Sequence, residues 1–573
     1  MVEKNAMIKP DQYESIITNS YEKLKHERII QRIWEHDHTV WKPEPTEITN
    51  RLGWLHSPES MRDSINEITS FTQQVMSEGF THALLLGMGG SSLAPEVFRS
   101  IFGVKAGFLD LAVLDSTTPG AVLAAARMFN PEKTLFIAST KSGGTVETLS
   151  FLKYFYNATL KKVGNDGIGK HFIAITDSGS GLEALAKDLN FRKIFLNDPD
   201  IGGRFSALSY FGLVPAGLIG VDLNLLLERA SSVIRDCKNN SESIYNENNC
   251  ARLGIFLGEF ARRGRDKLTF IMSPAIESLG VWIEQLIAES TGKEGTGILP
   301  VVGETILKPE NYSEDRLFIY LKFRDDETYD AQIKALSDYG HPVFQIHLTD
   351  EYDVGGDFFR WEMATAIAGY FLKINPFDQP NVEAAKVLAR NMVTAYQKKG
   401  RLPESEPSFK TQNIKIFADE KIKNLEDAMT KFLAKANPGN MGIGRSYVAI
   451  QAFIVPTAEA DAALHKLRTK IQQKCRLATT VGYGPRFLHS TGQLHKGDGG
   501  NGLFIQLTAD NPEDAPIPDH AGNDASSMSF GVLALAQALG DRQALLDANR
   551  TVIRFHISTN ISKGIDKLVE AIR

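Results

Sequence analysis

From His82 onward the chain alternates short apolar runs with helix-patterned stretches. The runs are Leu84–Leu86, Leu111–Leu114, Leu135–Ala138, Phe172–Ile175 and Ile194–Leu196. Such alternation argues for a parallel sheet with helices on both faces, binding its ligand at the C-terminal ends of the strands. A second series starts near Leu268–Met272 and continues through Leu317–Leu321 and Val343–Leu348. It ends in a helix beginning about Pro380. Before about Ser77 the chain reads as helical and polar, with Ile16, Tyr21, Leu24, Ile29 and Ile33 spaced loosely along one face. Trp34, Trp41 and Trp54 read as core or interface packing. Arg401–Ser408, rich in Pro, Ser and Glu, is the best linker. Beyond it, Tyr447–Ile450, a helix and Leu503–Thr508 echo the order Leu317–Leu321, helix, Val343–Asp350. That echo fits either a duplicated half-domain or chance recurrence.

Two loops interrupt the first series in a chemically specific way. Ser139-Thr-Lys-Ser-Gly-Gly-Thr-Val-Glu-Thr148 follows the strand Leu135–Ala138 and precedes a helical pattern. A strand–loop–helix turn of this composition points backbone N–H groups and hydroxyls beyond the strand end, and helix N-termini favour anions. With Thr140, Ser142, Thr145 and Thr148 as hydroxyls and Gly143-Gly144 permitting close approach, the loop reads as a clamp for a phosphate monoester. Leu84-Leu-Leu-Gly-Met-Gly-Gly-Ser-Ser-Leu-Ala-Pro-Glu96 is a second such unit, with Leu93, Val97 and Ile101 on one helical face. Its spacing is GxGG rather than GxGxxG, which argues against a dinucleotide. The alternatives are a plain tight turn, or backbone approach to a smaller ligand with Ser91 as a hydroxyl donor.

Composition excludes several classes. The 573 residues suggest three or four domains. A net charge of -6 without a Lys/Arg block argues against a nucleic-acid partner. Cys237, Cys250 and Cys475 lack CxxC spacing, so they read as buried or surface thiols of a reducing cytosol rather than a disulfide framework or metal site. Met1-Val-Glu-Lys-Asn-Ala6 lacks the apolar core of a signal peptide. No apolar run approaches the roughly 20 residues needed to span a bilayer.

GMGGSS at Gly87–Ser92 and TKSGGTVET at Thr140–Thr148 resemble the two sugar-phosphate loops of phosphoglucose isomerases, which are built from paired SIS domains. Gly202-Gly-Arg-Phe-Ser206 resembles that family's arginine motif, and Ala288-Glu-Ser-Thr-Gly-Lys293 its glutamate motif. Ile374-Asn-Pro-Phe-Asp-Gln-Pro-Asn-Val-Glu-Ala-Ala-Lys386 resembles its C-terminal lysine motif. The five motifs cover about residues 80–390 in the family's order. Bacterial fusions of transaldolase with this isomerase are similar over the whole chain, although no transaldolase barrel precedes residue 80. The resemblance implies an α/β fold: two flavodoxin-like, doubly wound SIS domains plus an additional C-terminal α/β domain. The expected units are 1–235, 236–400 and 409–573.

The residues taken singly are compatible with that chemistry. Ile276, Leu279, Ile283 and Leu286 make an apolar helical stripe, and Glu289 falls off it near the helix end, where a carboxylate could face a cleft or simply solvent. Arg204 carries a fixed charge suited to an oxyanion or to a structural ion pair. Gln379 and Lys386 are seven apart and could share a helical face. The chain departs from the family pattern in its histidine, which usually follows the glutamate motif soon after. Here no His occurs between Gly292 and His341. The best match is Leu488-His-Ser-Thr-Gly-Gln493, making His489 the candidate and His495 the second, with the last domain folding back or reaching across a dimer.

The resemblance implies interconversion of glucose 6-phosphate and fructose 6-phosphate through an enediolate, without a cofactor or metal, in a cytoplasmic homodimer. In it Glu289 is the proton shuttle, Arg204 the enediolate stabiliser, and His489 and Lys386 the ring-opening pair. Thr140, Lys141, Ser142, Thr145 and Thr148 hold the phosphate, and Gly90, Ser91 and Gln379 line the sugar. Mannose 6-phosphate stays open as a second substrate. The alternatives are a non-catalytic SIS-type sugar-phosphate regulator and a glucosamine-phosphate synthase-like enzyme. The former would not need Glu289, Arg204 and Lys386 together. The latter would need an N-terminal cysteine, and none precedes Cys237.

Overall fold

The computed structural model describes residues 6–9, 11–238, 248–403, 405–439 and 444–573. The N-terminal stretch Met1–Asn5 and linker residue Glu404 lie outside them. Eighteen strands form three main sheets and one small hairpin among the described residues. Strand β1 (Ala6–Lys9) precedes the first sheet in sequence but joins the second. The first sheet contains β2 (His82–Gly87), β3 (Asp110–Leu114), β4 (Thr134–Ser139), β5 (Phe172–Asp177) and β6 (Lys193–Asn197). These strands are all parallel, in the order β3-β2-β4-β5-β6. All five expected apolar runs fall inside them.

The second sheet is built from β7 (Lys267–Met272), β8 (Leu299–Val301), β9 (Arg316–Phe323) and β10 (Val343–Leu348). They are parallel in the order β8-β7-β9-β10, and β1 pairs antiparallel beyond β10. The N-terminal segment therefore does not belong wholly with the first sheet. The third sheet holds β11 (Phe409–Lys410), β12 (Ile414–Phe417), β13 (Tyr447–Phe453), β14 (Ala478–Tyr483) and β15 (Gly502–Ala509). After a hairpin of β16 (Pro516–Ile517) and β17 (Met528–Ser529) comes its last strand, β18 (Thr551–Ile557). Its parallel strands run β14-β13-β15-β18, with β12 antiparallel beyond β18.

Counted within each unit, the second and third sheets share one strand order, 2-1-3-4, and each carries an antiparallel strand beyond the fourth. The internal echo is thus a topological one, but its correspondence differs from the sequence expectation. Tyr447–Ile450 occupies the place of Leu268–Met272, and Leu503–Thr508 that of Leu317–Leu321. The strand that follows the helix after β13 is Ala478-Thr-Thr-Val-Gly-Tyr483, whose Thr479, Thr480 and Gly482 break up the apolar run that marks β13 and β15. Two further corrections concern sulfur and helix phase. Cys237 and Cys250, Cα atoms 6.4 Å apart, form a disulfide instead of two unpaired thiols, whereas Cys475 stays free. The helix expected from about Pro380 spans Val382–Lys399, so Gln379 precedes it and shares no helical face with Lys386.

Five helices position the site, α1 (Leu93–Phe102), α2 (Val146–Val163), α3 (Leu279–Thr291), α4 (Val382–Lys399) and α6 (Phe530–Asp547), while α5 (Ala458–Cys475) connects β13 to β14. One continuous core joins the first two sheets and includes Trp41 and Trp54. The third sheet has its own core, with Val448, Ile450, Leu464 and Ile505 inside it. Alternate residues of β13 face the other way: Tyr447 and Ala449 pack with Ala288, Leu299 and Leu494 at the seam with the second unit. Period-2 alternation on a strand covered on both faces thus both closes one core and docks it onto another. No helix among the described residues is long and apolar enough to cross a membrane.

Candidate active site

In the first sheet the strand order reverses at β2, so a crevice opens beyond the C-terminal ends of β2 and β4. Both glycine-rich loops lie there. After β2 the chain makes a tight turn at Gly89–Ser91 and enters α1, where Leu93 and Val97 are buried. Gly90 sits against another backbone: a Cβ on it would lie 2.0 Å from the carbonyl oxygen of Gly203. That contact presses the turn onto Gly203–Phe205, which carries Arg204. Ser91 is buried, and its carbonyl accepts from the Ser139 hydroxyl, tying the two loops together.

After β4, Gly143 takes a left-handed conformation (φ +71°), and a Cβ there would strike the Leu182 N at 2.4 Å. Ser142 and Gly144 are exposed and Thr145 is half-buried. The Thr140 and Thr145 hydroxyls are 2.8 Å apart. Thr145 is the N-cap of α2, and its side chain makes no capping hydrogen bond to this 18-residue helix. Two expected phosphate contacts are placed otherwise. The Lys141 ammonium turns away to the Asp177 carboxylate and the Pro199 carbonyl, and Thr148 is fully buried with its hydroxyl unpartnered.

Arg204 is almost wholly buried and every face of its guanidinium is engaged. Nε donates to Ser290 Oγ (2.7 Å) and Nη1 to Gln379 Oε1 (2.8 Å). Nη2 donates to the carbonyls of Pro376 (2.7 Å) and Asp378 (3.0 Å). Nη1 lies 3.4 Å from Glu289 Oε1. Burial pulls the Arg204 pKa below the ordinary guanidinium value, and the charges of Glu289 and Asp378 oppose it. Nearby Lys293, fully buried, donates to Asn375 O and Asp378; burial and the charge of Arg204 bring its pKa to about 8.

Glu289 stands near the end of α3, off the stripe of Leu279, Ile283 and Leu286, all of which are buried. Gln285, one turn earlier on the same face, donates from Nε2 both to Glu289 Oε2 (3.0 Å) and to the carbonyl of His489 (2.7 Å). His489 comes from the short turn Arg486–His489 after β14, in the same chain. Its Nε2 is 2.9 Å from Glu147 Oε1. Arg486 braces the turn through a bidentate pair with Asp115 at 2.6 and 2.9 Å. Burial alone would raise the Glu147 pKa, but His489, and more weakly Lys386, hold it below the usual carboxylate value. Lys386 itself is half-exposed on α4, 4.0 Å from Glu383.

The second histidine is elsewhere. His495 is buried among Tyr447, Phe487 and Phe504, and burial drives its pKa well below the ordinary imidazole value. Glu147, Gln285 and Asp115 were not singled out from sequence. Gln285 had a signal, the i, i+4 spacing to Glu289; Glu147 sat inside the quoted loop motif, and Asp115 had none. A cavity of about 1390 Å³ at the N-terminal edges of β7, β9 and β13 is lined by none of these groups. Among the described residues no group of three or more His, Cys, Asp or Glu side chains is placed to hold a metal ion.

Comparison with known proteins bears on this arrangement. The phosphoglucose isomerase family model matches residues 55–298. A glucose-6-phosphate isomerase of Carboxydothermus hydrogenoformans is 30% identical over 396 residues, covering 58% of this chain and 83% of the relative. The chain belongs to the phosphoglucose isomerase family. A probable glucose-6-phosphate isomerase of Methanococcus maripaludis is 29% identical over 394 residues, 61% of this chain and 85% of that protein. Among solved structures, a hypothetical protein of Thermus thermophilus superposes with a TM-score of 0.58 at 25% identity, over 67% of this chain and 99% of its own. A Chlamydia trachomatis glucose-6-phosphate isomerase, 17% identical over 67% of this chain and 86% of that one, gives 0.56 and supports the fold. The first two sheet units of this phosphoglucose isomerase family member are parallel-stranded and lie within the expected α/β class.

Proposed function

We propose that this chain interconverts glucose 6-phosphate and fructose 6-phosphate, the glycolytic and gluconeogenic isomerisation, at the crevice beyond β2 and β4. The observation that carries the reading is the convergence of Glu289, Arg204 and His489 there. An ion pair joins the first two, and a single Gln285 amide bridges Glu289 to His489. Relatives named glucose-6-phosphate isomerase support it.

The sugar phosphate enters with its anion on the N-terminus of α2, against Thr140, Ser142 and Thr145. Lys141 contributes through its backbone, because its ammonium is engaged with Asp177. Gly90, Ser91 and Gln379 border the sugar. His489 and Lys386 open the ring: one takes the proton of the anomeric hydroxyl while the other supplies one to the ring oxygen as the C1–O5 bond breaks. Glu289 then removes the proton from C2 and returns it to C1. Arg204 stabilises the enediolate oxygen, a role in which one well-aimed donor is worth about 3–4 kcal/mol. Its dense set of acceptors fixes the guanidinium before the charge develops.

Family resemblance also leads us to infer a homodimer, a cytoplasmic setting, and units near residues 1–235, 236–400 and 409–573, the first of them lending strand β1 to the sheet of the second. The test of the activity is a coupled isomerase assay of the chain and of Glu289→Gln. The variant is expected to lose turnover while binding sugar phosphate almost as well as the parent. Retained turnover would overturn the base assignment, and an inactive parent chain would overturn the isomerase reading.

A further inference from the structure

Glu147 is held by two side chains of the third unit that arrive from different elements. His489 approaches from the turn after β14, and Gln537 from the middle of α6. Gln537 Nε2 donates to Glu147 Oε1 at 2.6 Å, the same oxygen that faces His489 Nε2. At its other end Gln537 Oε1 accepts from the Thr117 hydroxyl at 2.8 Å. Thr117, Gln537 and Glu147 are all buried.

The orientation of a glutamine amide is set by its partners. A hydroxyl donates to Oε1 here, and a carboxylate accepts at the opposite end, so the NH2 faces Glu147. The neighbours of Gln537 along α6, Leu533, Ala534, Ala536 and Ala538, are buried apolar residues. A buried amide is costly unless its polar atoms are bonded, and this one bonds into the site. A donor on Oε1 favours the ionised carboxylate, and an ionised carboxylate accepts but cannot donate. His489 Nε2 must then carry the proton, which leaves Nδ1 as the basic nitrogen. No hydrogen bond occupies Nδ1 among the described residues.

We propose that Gln537, oriented by Thr117, is a positioning residue for ring opening: it holds Glu147 so that Glu147 sets the tautomer and aim of His489. This rests on the isomerase reading above. The third unit then supplies both the imidazole and the amide that braces its carboxylate partner.

The test uses Gln537→Leu, which keeps the volume and removes the donor, assayed in the full chain on glucose 6-phosphate. We expect kcat to fall about tenfold, the order of one charge-assisted hydrogen bond, with KM within about twofold. In a His489→Ala background the same substitution should cost less than about twofold, because its effect is routed through the imidazole. Thr117→Val should repeat the pattern more weakly, and Thr117→Ser should restore what it loses. Thermal melts establish folding, and if Gln537→Leu does not fold, the Thr117 pair in both backgrounds decides. An unchanged kcat, or an equal loss with and without His489, would overturn the proposal. Inactivity of the parent chain would overturn the isomerase reading instead.

Discussion

Substituting Gly90 by Ala should disable this protein while leaving it folded. The new Cβ would lie 2.0 Å from the Gly203 oxygen, 2.3 Å from its carbonyl carbon and 2.9 Å from the Arg204 nitrogen. All three are backbone atoms, so no rotamer change relieves the contact. Ordinary van der Waals contact begins at 3.4 Å, so the two turns must separate by roughly 1.4 Å. Arg204 cannot follow such a shift and keep its bonds to Ser290, Gln379, Pro376 and Asp378, which are 2.7 to 3.0 Å long. A misplacement of about 1 Å at a reacting centre costs on the order of 100-fold in rate, or about 2.7 kcal/mol. Overpacking itself costs about 1–3 kcal/mol of stability. The assay is kcat/KM in the coupled reaction beside a denaturant unfolding curve. A Gly90→Ala variant within about threefold of the parent would refute the claim that this contact sets the guanidinium.

Two further outcomes follow from the geometry. His489→Ala should slow glucose 6-phosphate much more than an aldotetrose 4-phosphate, whose esterified terminal oxygen cannot close a ring; equal losses on both would remove His489 from ring opening. Glu284, on α3, has a pKa raised to about 7 by burial, against the charges of Arg468 and Arg486. Its folded value lies above its ordinary 4.5, so its contribution is present at low pH and is lost as pH rises through about 7. The stability of Glu284→Gln relative to the parent should therefore grow between about pH 5 and 8 in chemical denaturation, and a pH-independent difference would contradict it.

Much of this architecture was legible because buried parallel strands must be apolar on both faces. Leu84–Leu86 and Leu135–Ala138 announce themselves for that reason, and the glycine loops that follow them mark the crevice. Ala478–Tyr483 did not, since Thr479, Thr480 and Gly482 weaken the apolar signal in a strand that lies at the sheet edge. Glu289 and Arg204 were readable through motif order, and the structure sets them in contact. Lys141 and Thr148 carried the right chemistry in the right loop, yet their side chains are taken up by Asp177 and by the interior. Gln537 was invisible: a single glutamine in an apolar helix has no local pattern, and its partners are 390 and 420 residues away. The motif match ranked His489 ahead of His495, and burial, which no motif reports, sets the two apart in the structure: His489 is partly exposed beside Glu147 and His495 lies in the core.

The contact between Glu147 and His489 spans 342 positions, and that from Glu147 to Gln537 spans 390. During synthesis the two glycine-rich loops leave the ribosome long before His489 and Gln537, the side chains that reach back to Glu147. A nascent chain interrupted ahead of the third sheet would carry Glu147 without either of the side chains that hold it. The full set of contacts on Glu147 therefore waits until translation has passed residue 537, and a copy terminated earlier leaves that carboxylate without its amide donor.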